Sequence, residues 1–322
     1  MKSFWRVASE YSFRDTRHDK PGSSLRPHGL ESFIGQEKAK SILRMAIRSS
    51  IIRNAPPGHI VFYGPAGLGK TSLANVLANE LNYKLYVVNG NSNSGLILET
   101  LKKIEPYSVV FIDEIHALSI GTQEVLYEAM EDAVLNVEKE QIKLPPFTLV
   151  GATTMLGNLS KPMIDRFLLK IELKPYSIEE LALMTSRKAL AVGIEIDKDA
   201  SLSIAKRCRS TARLLANHVT LCRDFALGMG EQRINSDVVE EVFQTLEIDA
   251  LGLGTKDYEY LETVYANEKP MGAGAIALTI NEALPTVELL IEPYLLQLGY
   301  ISRTPRGRCI TNKGIELLER RI

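Results

Sequence analysis

The sequence predicts an α/β domain built on a mainly parallel sheet, then a small all-helical domain, then a C-terminal winged helix. Three observations predict it. First, four short apolar runs alternate with stretches of helical periodicity as far as Leu173: HIVFY (59–63), LYVVN (85–89), VVFID (109–113) and FTLVGAT (147–153). Second, strand signals stop after Lys174, and amphipathic helical stretches follow one another. Third, the last part has roughly three short helices and then GYISRTPRGRCITN, where YIS and RCIT flank a Pro/Gly turn in the manner of a hairpin.

Taken in order, residues 1–24 are polar and read as a lead-in. The four runs of the domain at 25–174 are rich in β-branched residues and bounded by Gly, Asn, Asp or Pro, as buried parallel strands are. Between them, TSLANVLANEL (71–81), SGLILETLKKI (94–104) and TQEVLYEAMEDAV (122–134) carry the helical period. In the helical domain at 175–248, Ser177 and Glu180 form a capping box that opens IEELALMTSRKALAV, and further helices are expected at 198–208, 211–227 and 236–246. EIDALGLGTKD reads as a linker into the winged helix at 249–322.

Composition limits the function. A chain of 322 residues needs more than one core. A net charge of −1 argues against a broad basic coat but leaves room for a local basic site. No apolar run approaches a membrane span, and the first twenty residues lack the apolar stretch of a secretory signal. Three cysteines without metal-type spacing read as reduced thiols, so the expected setting is cytoplasmic, with no membrane partner.

GPAGLGKTS, Gly64 to Ser72, is a P-loop in the right setting, because a strand runs into it and a helix leaves it. Gly64, Gly67 and Gly69 let backbone N–H groups curl around phosphate oxygens, and the helix N-terminus at Lys70, Thr71 and Ser72 adds its positive end. Lys70 would reach the β- and γ-phosphates, and the Thr71 hydroxyl would ligate Mg²⁺. Asp113 ends an apolar strand, where an ionised carboxylate is costly unless a cation such as hydrated Mg²⁺ faces it. Glu114 beside it can orient and polarise an attacking water.

GPAGLGKT, FIDEIH, FTLVGATT and DRF, in this order, resemble the AAA+ ATPases. LRPHGLESFIGQEKAK, LYEAMED, LPPFTLVGATT, RDFA and EPYLLQLGYISRTPRGR narrow the resemblance to the RuvB family, the bacterial motors of Holliday-junction branch migration. The likeness covers nearly everything from Leu25 onward. It implies ATP and Mg²⁺ as cofactors, adenine contacts near Leu25, Arg26 and Ile34, and a γ-phosphate sensor at Thr153 or Thr154, with Thr154 favoured. It implies that Arg166 is the arginine finger given to a neighbouring subunit, and that Tyr176 and Arg213 are nucleotide contacts from the lid. His116 also matches the family and is assigned no catalytic role. The implied partners are double-stranded DNA, Holliday junctions, further copies of the chain in a hexameric ring, and a RuvA-type junction-binding protein.

The sequence also departs from the family pattern. Met155 stands where Arg is usual after GATT, Ile164 leaves Arg166 as the single finger candidate, and TAR (211–213) replaces TPR. Between MED and PPFTL the family makes a long hairpin with an apolar tip that docks on RuvA. Here only AVLNVEKEQIKL remains, with Glu138, Lys139, Glu140 and Gln141 at its tip, so that contact is expected to be weakened or altered. The stretch NGNSNSG (89–95) is shortened too.

For DNA, the helix PTVELLIEPYLLQLG carries Glu288 and Glu292 and would repel phosphates. The wing is left, with Arg303, Arg306 and Arg308 around Pro305 and Gly307, which suits sequence-independent backbone or minor-groove contact. The expected activity is an ATP-driven motor that moves duplex DNA. The rivals are an AAA+ loader or remodeller, and an ATP-dependent DNA-binding switch that has lost processive motion through Met155 and Ile164.

Overall fold

A computed structural model describes residues 27–137, 140–267 and 269–321. The chain divides into two compact units, one through Pro175 with Arg187–Glu195, the other Tyr176–Ser186 with Ile196 onward.

The first unit is a three-layer α/β domain around a five-stranded, all-parallel sheet. Its elements run α1 (Glu37–Arg53), β1 (Ile60–Tyr63), α2 (Lys70–Leu81), β2 (Lys84–Asn89), α3 (Ser94–Lys102), β3 (Ser108–Asp113), α4 (Ile120–Glu131), β4 (Val134–Val137), β5 (Glu140–Lys143), β6 (Phe147–Thr153), α5 (Lys161–Arg166) and β7 (Leu169–Glu172). The sheet order is β2-β3-β6-β1-β7. All seven side chains of β6 are buried, as a central parallel strand covered on both faces requires. Three elements of this unit, α1, α5 and β7, have no counterpart in the sequence reading. In α1 the buried positions Ala39, Lys40, Leu43, Ile47 and Ser50 keep helical spacing. In β7 Lys170 and Glu172 are exposed and Ile171 is buried, an alternation that suits the edge of the sheet beside β1. The segment between MED and PPFTL forms a compact antiparallel hairpin of two four-residue strands, with Leu135 paired to Ile142 and Leu135 fully buried. Glu138 and Lys139 lie outside the described residues.

The second unit is helical with a small C-terminal β-ribbon. After α6 (Ile178–Ala191), which contributes to both units, come α7 (Lys198–Lys206), α8 (Ala212–Gly228) and α9 (Ser236–Thr245). The capping box forms as read: Glu180 N–H donates to Ser177 Oγ at 3.2 Å, and Ser177 N–H donates to Glu180 Oε2 at 2.8 Å. Then follow α10 (Thr255–Tyr265), α11 (Ala273–Thr279), α12 (Leu284–Leu298), the hairpin of β8 (Ile301–Thr304) and β9 (Gly307–Ile310), and α13 (Asn312–Glu319). Met271 adds a bridge to Arg308, the third-strand contact of a winged helix. A Cβ at Gly307, whose φ is +140°, would come within 2.5 Å of Met271 O, so only glycine admits that approach. Residues Val287–Ile291 of α12 take a π turn just before Pro293, which has no N–H for the regular ladder.

The helical part and the winged helix are joined at Arg209 and Ser210, both in the left-handed region at φ 46° and 58°. Arg209 donates to Gly252 O at 3.0 Å, ion-pairs the buried Asp257 and lies over the Tyr294 ring. Gln297 donates to Ser210 Oγ at 2.9 Å, and Tyr176 N–H donates to Ser210 O at 3.1 Å.

Candidate active site

Parallel strands bring their carboxyl ends to one edge, and here that edge collects the chemistry. Tyr63 at the end of β1 pairs with Thr153 at the end of β6, and Ile112 of β3 pairs with Gly151 of β6. The loop after β1, the Asp113–Glu114 pair after β3, and Thr153 and Thr154 are therefore neighbours across three adjacent strands.

The loop is a cradle that side chains would fill. Gly64, Gly67 and Gly69 have φ of +131°, +79° and +94°, and a Cβ at Gly64 would come within 2.5 Å of Leu173 O. Gly64 N–H donates to Thr153 O at 3.3 Å, which ties the loop to β6. Lys70 opens α2 almost wholly buried, with its ammonium donating to Gly64 O at 2.8 Å and Pro65 O at 2.9 Å. A buried cation on carbonyl oxygens at the start of a helix fits a polyphosphate. Thr71 and Ser72 follow on the first turn, half-buried.

Asp113 closes β3 half-buried, and its Oδ1 accepts Glu114 N–H at 3.1 Å. Its other oxygen and the Thr71 hydroxyl suit a hard cation such as Mg²⁺. Glu114 sits at φ +49°, a left-handed conformation that turns the chain out of the strand. Its carboxylate is within 3.3 Å of His116 Nδ1, which is also 2.9 Å from Thr153 Oγ1. Thr153 is fully buried and its oxygen also accepts Met155 N–H at 2.9 Å, whereas Thr154 is partly exposed. Met155 is itself partly exposed, and Ile164 packs against the core of the unit.

Arg166 ends α5. It donates to Glu131 Oε2 at 2.7 Å and Pro162 O at 3.0 Å, and its guanidinium lies 4.6 Å from the Tyr127 ring centre. Its Nε is buried without a partner. Ile34 is half-buried, and Leu25 and Arg26 lie outside the described residues. In the second unit, Tyr176 is buried on the Ser210 carbonyl, and Arg213 is exposed on the first turn of α8.

The three wing arginines prove to be of two kinds. Glu292, read from the sequence as part of a phosphate-repelling surface, is fully buried. Arg308 Nε donates to its Oε1 at 2.9 Å, Arg303 Nη2 donates to its Oε2 at 2.5 Å, and Tyr260 Oη donates to Oε1 at 3.0 Å. Burial alone would raise the Glu292 carboxyl, but the hydrogen bonds from Arg308, Arg303 and Tyr260 outweigh it and hold it below the usual glutamate range. Arg306 stands exposed at the turn between the strands. A signal for Glu292 existed: it falls three residues before Leu295, on the apolar stripe of its helix.

A P-loop on a parallel sheet, an acidic pair two strands away across β6, a helical lid and a winged helix define an AAA+ ATPase that handles DNA. The family models say which one. Residues 25–173 match the Holliday junction DNA helicase RuvB P-loop domain, 176–249 the RuvB AAA lid domain, and 250–319 the RuvB C-terminal winged helix domain. The chain belongs to the RuvB family, ATP-hydrolysing motors of Holliday-junction branch migration. Among solved structures it is similar to the Thermotoga maritima RuvB Holliday junction branch migration motor. The match has 39% identity and a TM-score of 0.83 over 92% of this chain and 98% of that one. A point variant of the same protein matches at 38% identity and a TM-score of 0.84, with the same coverage. Among the described residues no single helix is long and apolar enough to cross a membrane.

Proposed function

We propose that the chain assembles as a homohexameric ring in the cytoplasm and hydrolyses ATP between subunits to draw duplex DNA past a four-way junction. The cluster at the ends of β1, β3 and β6 carries this reading, because it sets a phosphate cradle, a water-polarising carboxylate and a phosphate-sensing hydroxyl side by side.

Lys70 and the N–H groups from Gly67 to Ser72 hold the β- and γ-phosphates, and Leu25, Arg26 and Ile34 hold the adenine end. Thr71 and Asp113 are the residues that would hold Mg²⁺, which supplies positive charge against the phosphate oxygens. Glu114 orients the attacking water, and Thr154, whose neighbour Thr153 is buried and committed, faces the γ-phosphate. Arg166 completes the site of an adjoining subunit, so hydrolysis waits for assembly. Leaving Glu131 to do so exchanges one anionic partner for another. Tyr176 and Arg213 read the nucleotide from the lid.

On DNA, exposed Arg306 is the sequence-blind contact, and Arg303, which is 48% exposed, adds to it from a fixed position. The short hairpin buries Leu135 and presents Asn136, Gln141 and Lys143 to solvent, which supports a weak or altered contact with a RuvA-type partner. The test is a synthetic four-way junction with and without a RuvA-type protein. A motor displaces the arms and shows DNA-stimulated ATPase. ATP and DNA binding with slow turnover and no displacement would instead identify a switch.

A further inference from the structure

Glu114 is tied to His116, a residue to which the sequence reading assigns no catalytic role. Its Oε2 lies 3.3 Å from His116 Nδ1, and that same nitrogen lies 2.9 Å from Thr153 Oγ1. Two of the three carriers are held by packing. Thr153 closes β6 with no exposed surface. His116 is the middle residue of a single 3-10 turn, Ile115–Ala117, which docks on β6 through the fully buried Ile115. That docking needs Gly151, since a Cβ there would come within 2.9 Å of Ile115 Cδ1.

The position of the ring proton decides whether this nitrogen serves both neighbours or only one. With its proton on Nδ1, the ring donates toward the Glu114 carboxylate and the Thr153 oxygen. With the proton on the other nitrogen, Nδ1 accepts from the Thr153 hydroxyl and turns a lone pair toward Glu114, which releases it. The Thr153 oxygen already accepts Met155 N–H, so its own hydrogen is free to point at His116. The set of the β6 end therefore decides how firmly His116 holds the catalytic carboxylate.

We propose that His116 is a positioning residue for ATP hydrolysis: through Nδ1 it holds the Glu114 carboxylate and couples its orientation to the end of β6, where Thr154 is the next residue. The inference rests on Glu114 being the water-polarising group. A shift of the Thr153–Thr154 peptide on meeting the γ-phosphate then reaches Glu114 through one hydrogen bond, the His116 ring and its 3.3 Å contact with the carboxylate.

The test is steady-state ATPase of the full chain, with and without a synthetic four-way junction, for His116→Phe, His116→Asn, Thr153→Val and Glu114→Gln. Asparagine places its amide nitrogen where His116 has Nδ1. His116→Phe is expected to lower kcat about 10- to 100-fold, with KM for ATP within about twofold of the parent. His116→Asn is expected to recover most of that loss. The double variant His116→Phe/Thr153→Val should be no slower than His116→Phe alone, because both remove one linkage. If Glu114→Gln is inactive and His116→Phe keeps more than half of kcat, or if the two losses add, the inference fails while the role of Glu114 stands. If Glu114→Gln hydrolyses ATP like the parent, the role of Glu114 falls and the inference with it. Phenylalanine could also disturb packing, so His116→Gln serves as a second probe. Its amide reaches the Nε2 position, it is expected to be as slow as His116→Phe, and activity equal to His116→Asn would overturn the proposal.

Discussion

Arg308 Nε lies 2.9 Å from Glu292 Oε1, and Arg303 reaches the other carboxylate oxygen from the opposite strand of the hairpin. One fully buried carboxylate thus fastens both strands of the wing to the helix before it. The acidic helix and the basic turn, opposed charges in the sequence, are a single structural unit.

This splits the effects of two similar substitutions. Arg306→Ala is expected to weaken DNA binding about equally across sequences, to lower the salt slope by roughly one, and to leave the melting temperature unchanged. Arg308→Ala removes charged hydrogen bonds from a buried carboxylate and is expected to cost about 2–3 kcal/mol of stability. Fluorescence anisotropy at several salt concentrations, with melting curves alongside, separates the two. Unchanged binding in the Arg303→Ala/Arg306→Ala/Arg308→Ala triple variant would take DNA away from the wing.

Lys70→Ala and Arg166→Ala should each abolish ATPase. Mixed in equal amounts, the two are expected to regain part of the activity, because some interfaces then combine an intact P-loop with an intact finger. Mixed rings that remain inactive would count against the role of Arg166 in trans.

Gly90 bears on catalysis from outside the motifs. Its N–H donates to Asp113 O at 2.7 Å, and a Cβ there would come within 2.2 Å of Glu114 O. Gly90→Ala has to push the acidic pair aside, and a loss in kcat of at least about tenfold is expected. Parental kcat in that variant would show that the strand end yields without cost.

His218 makes the second unit sensitive to acid. Burial lowers its pKa to about 4, with Arg209 and Arg207 nearby adding to the effect, so the folded chain keeps the ring neutral. The unfolded chain protonates near pH 6.5, and between about 6.5 and 4 it binds more protons than the folded one. Stability is then complete above that window and falls as pH drops through it, by up to about 3 kcal/mol. Melting of the parent between pH 4 and 7 should show this slope, and His218→Gln should flatten it. Equal slopes in the two would exclude His218 as the source.

Much of this was legible in the chain because local chemistry and global fold agree. HIVFY, VVFID and FTLVGAT form adjacent strands since apolar β-branched runs bounded by glycine or aspartate have few other places to go. The Ser177 and Glu180 box is local and forms as read. What escaped has a non-local cause. Lys170 and Glu172 hide an edge strand that exists only because β1 lies beside it. Glu292 looks like a surface charge until Arg303 and Arg308, 11 and 16 residues later, return to it. His116 gains its partners through the seat that Gly151 gives to Ile115, which no spacing in the sequence announces.

Arg209 and Ser210 leave one last consequence. Both hold a backbone conformation that ordinary side chains resist, and both are fastened to the winged helix through Asp257, Gly252 and Gln297. Tyr176 N–H donates to the carbonyl of the second residue, and Arg213 lies three positions on, in the first turn of α8. Such a joint is expected to act as a crank and not as a tether, passing a turn at Tyr176 on to the wing through Ser210 and Gln297.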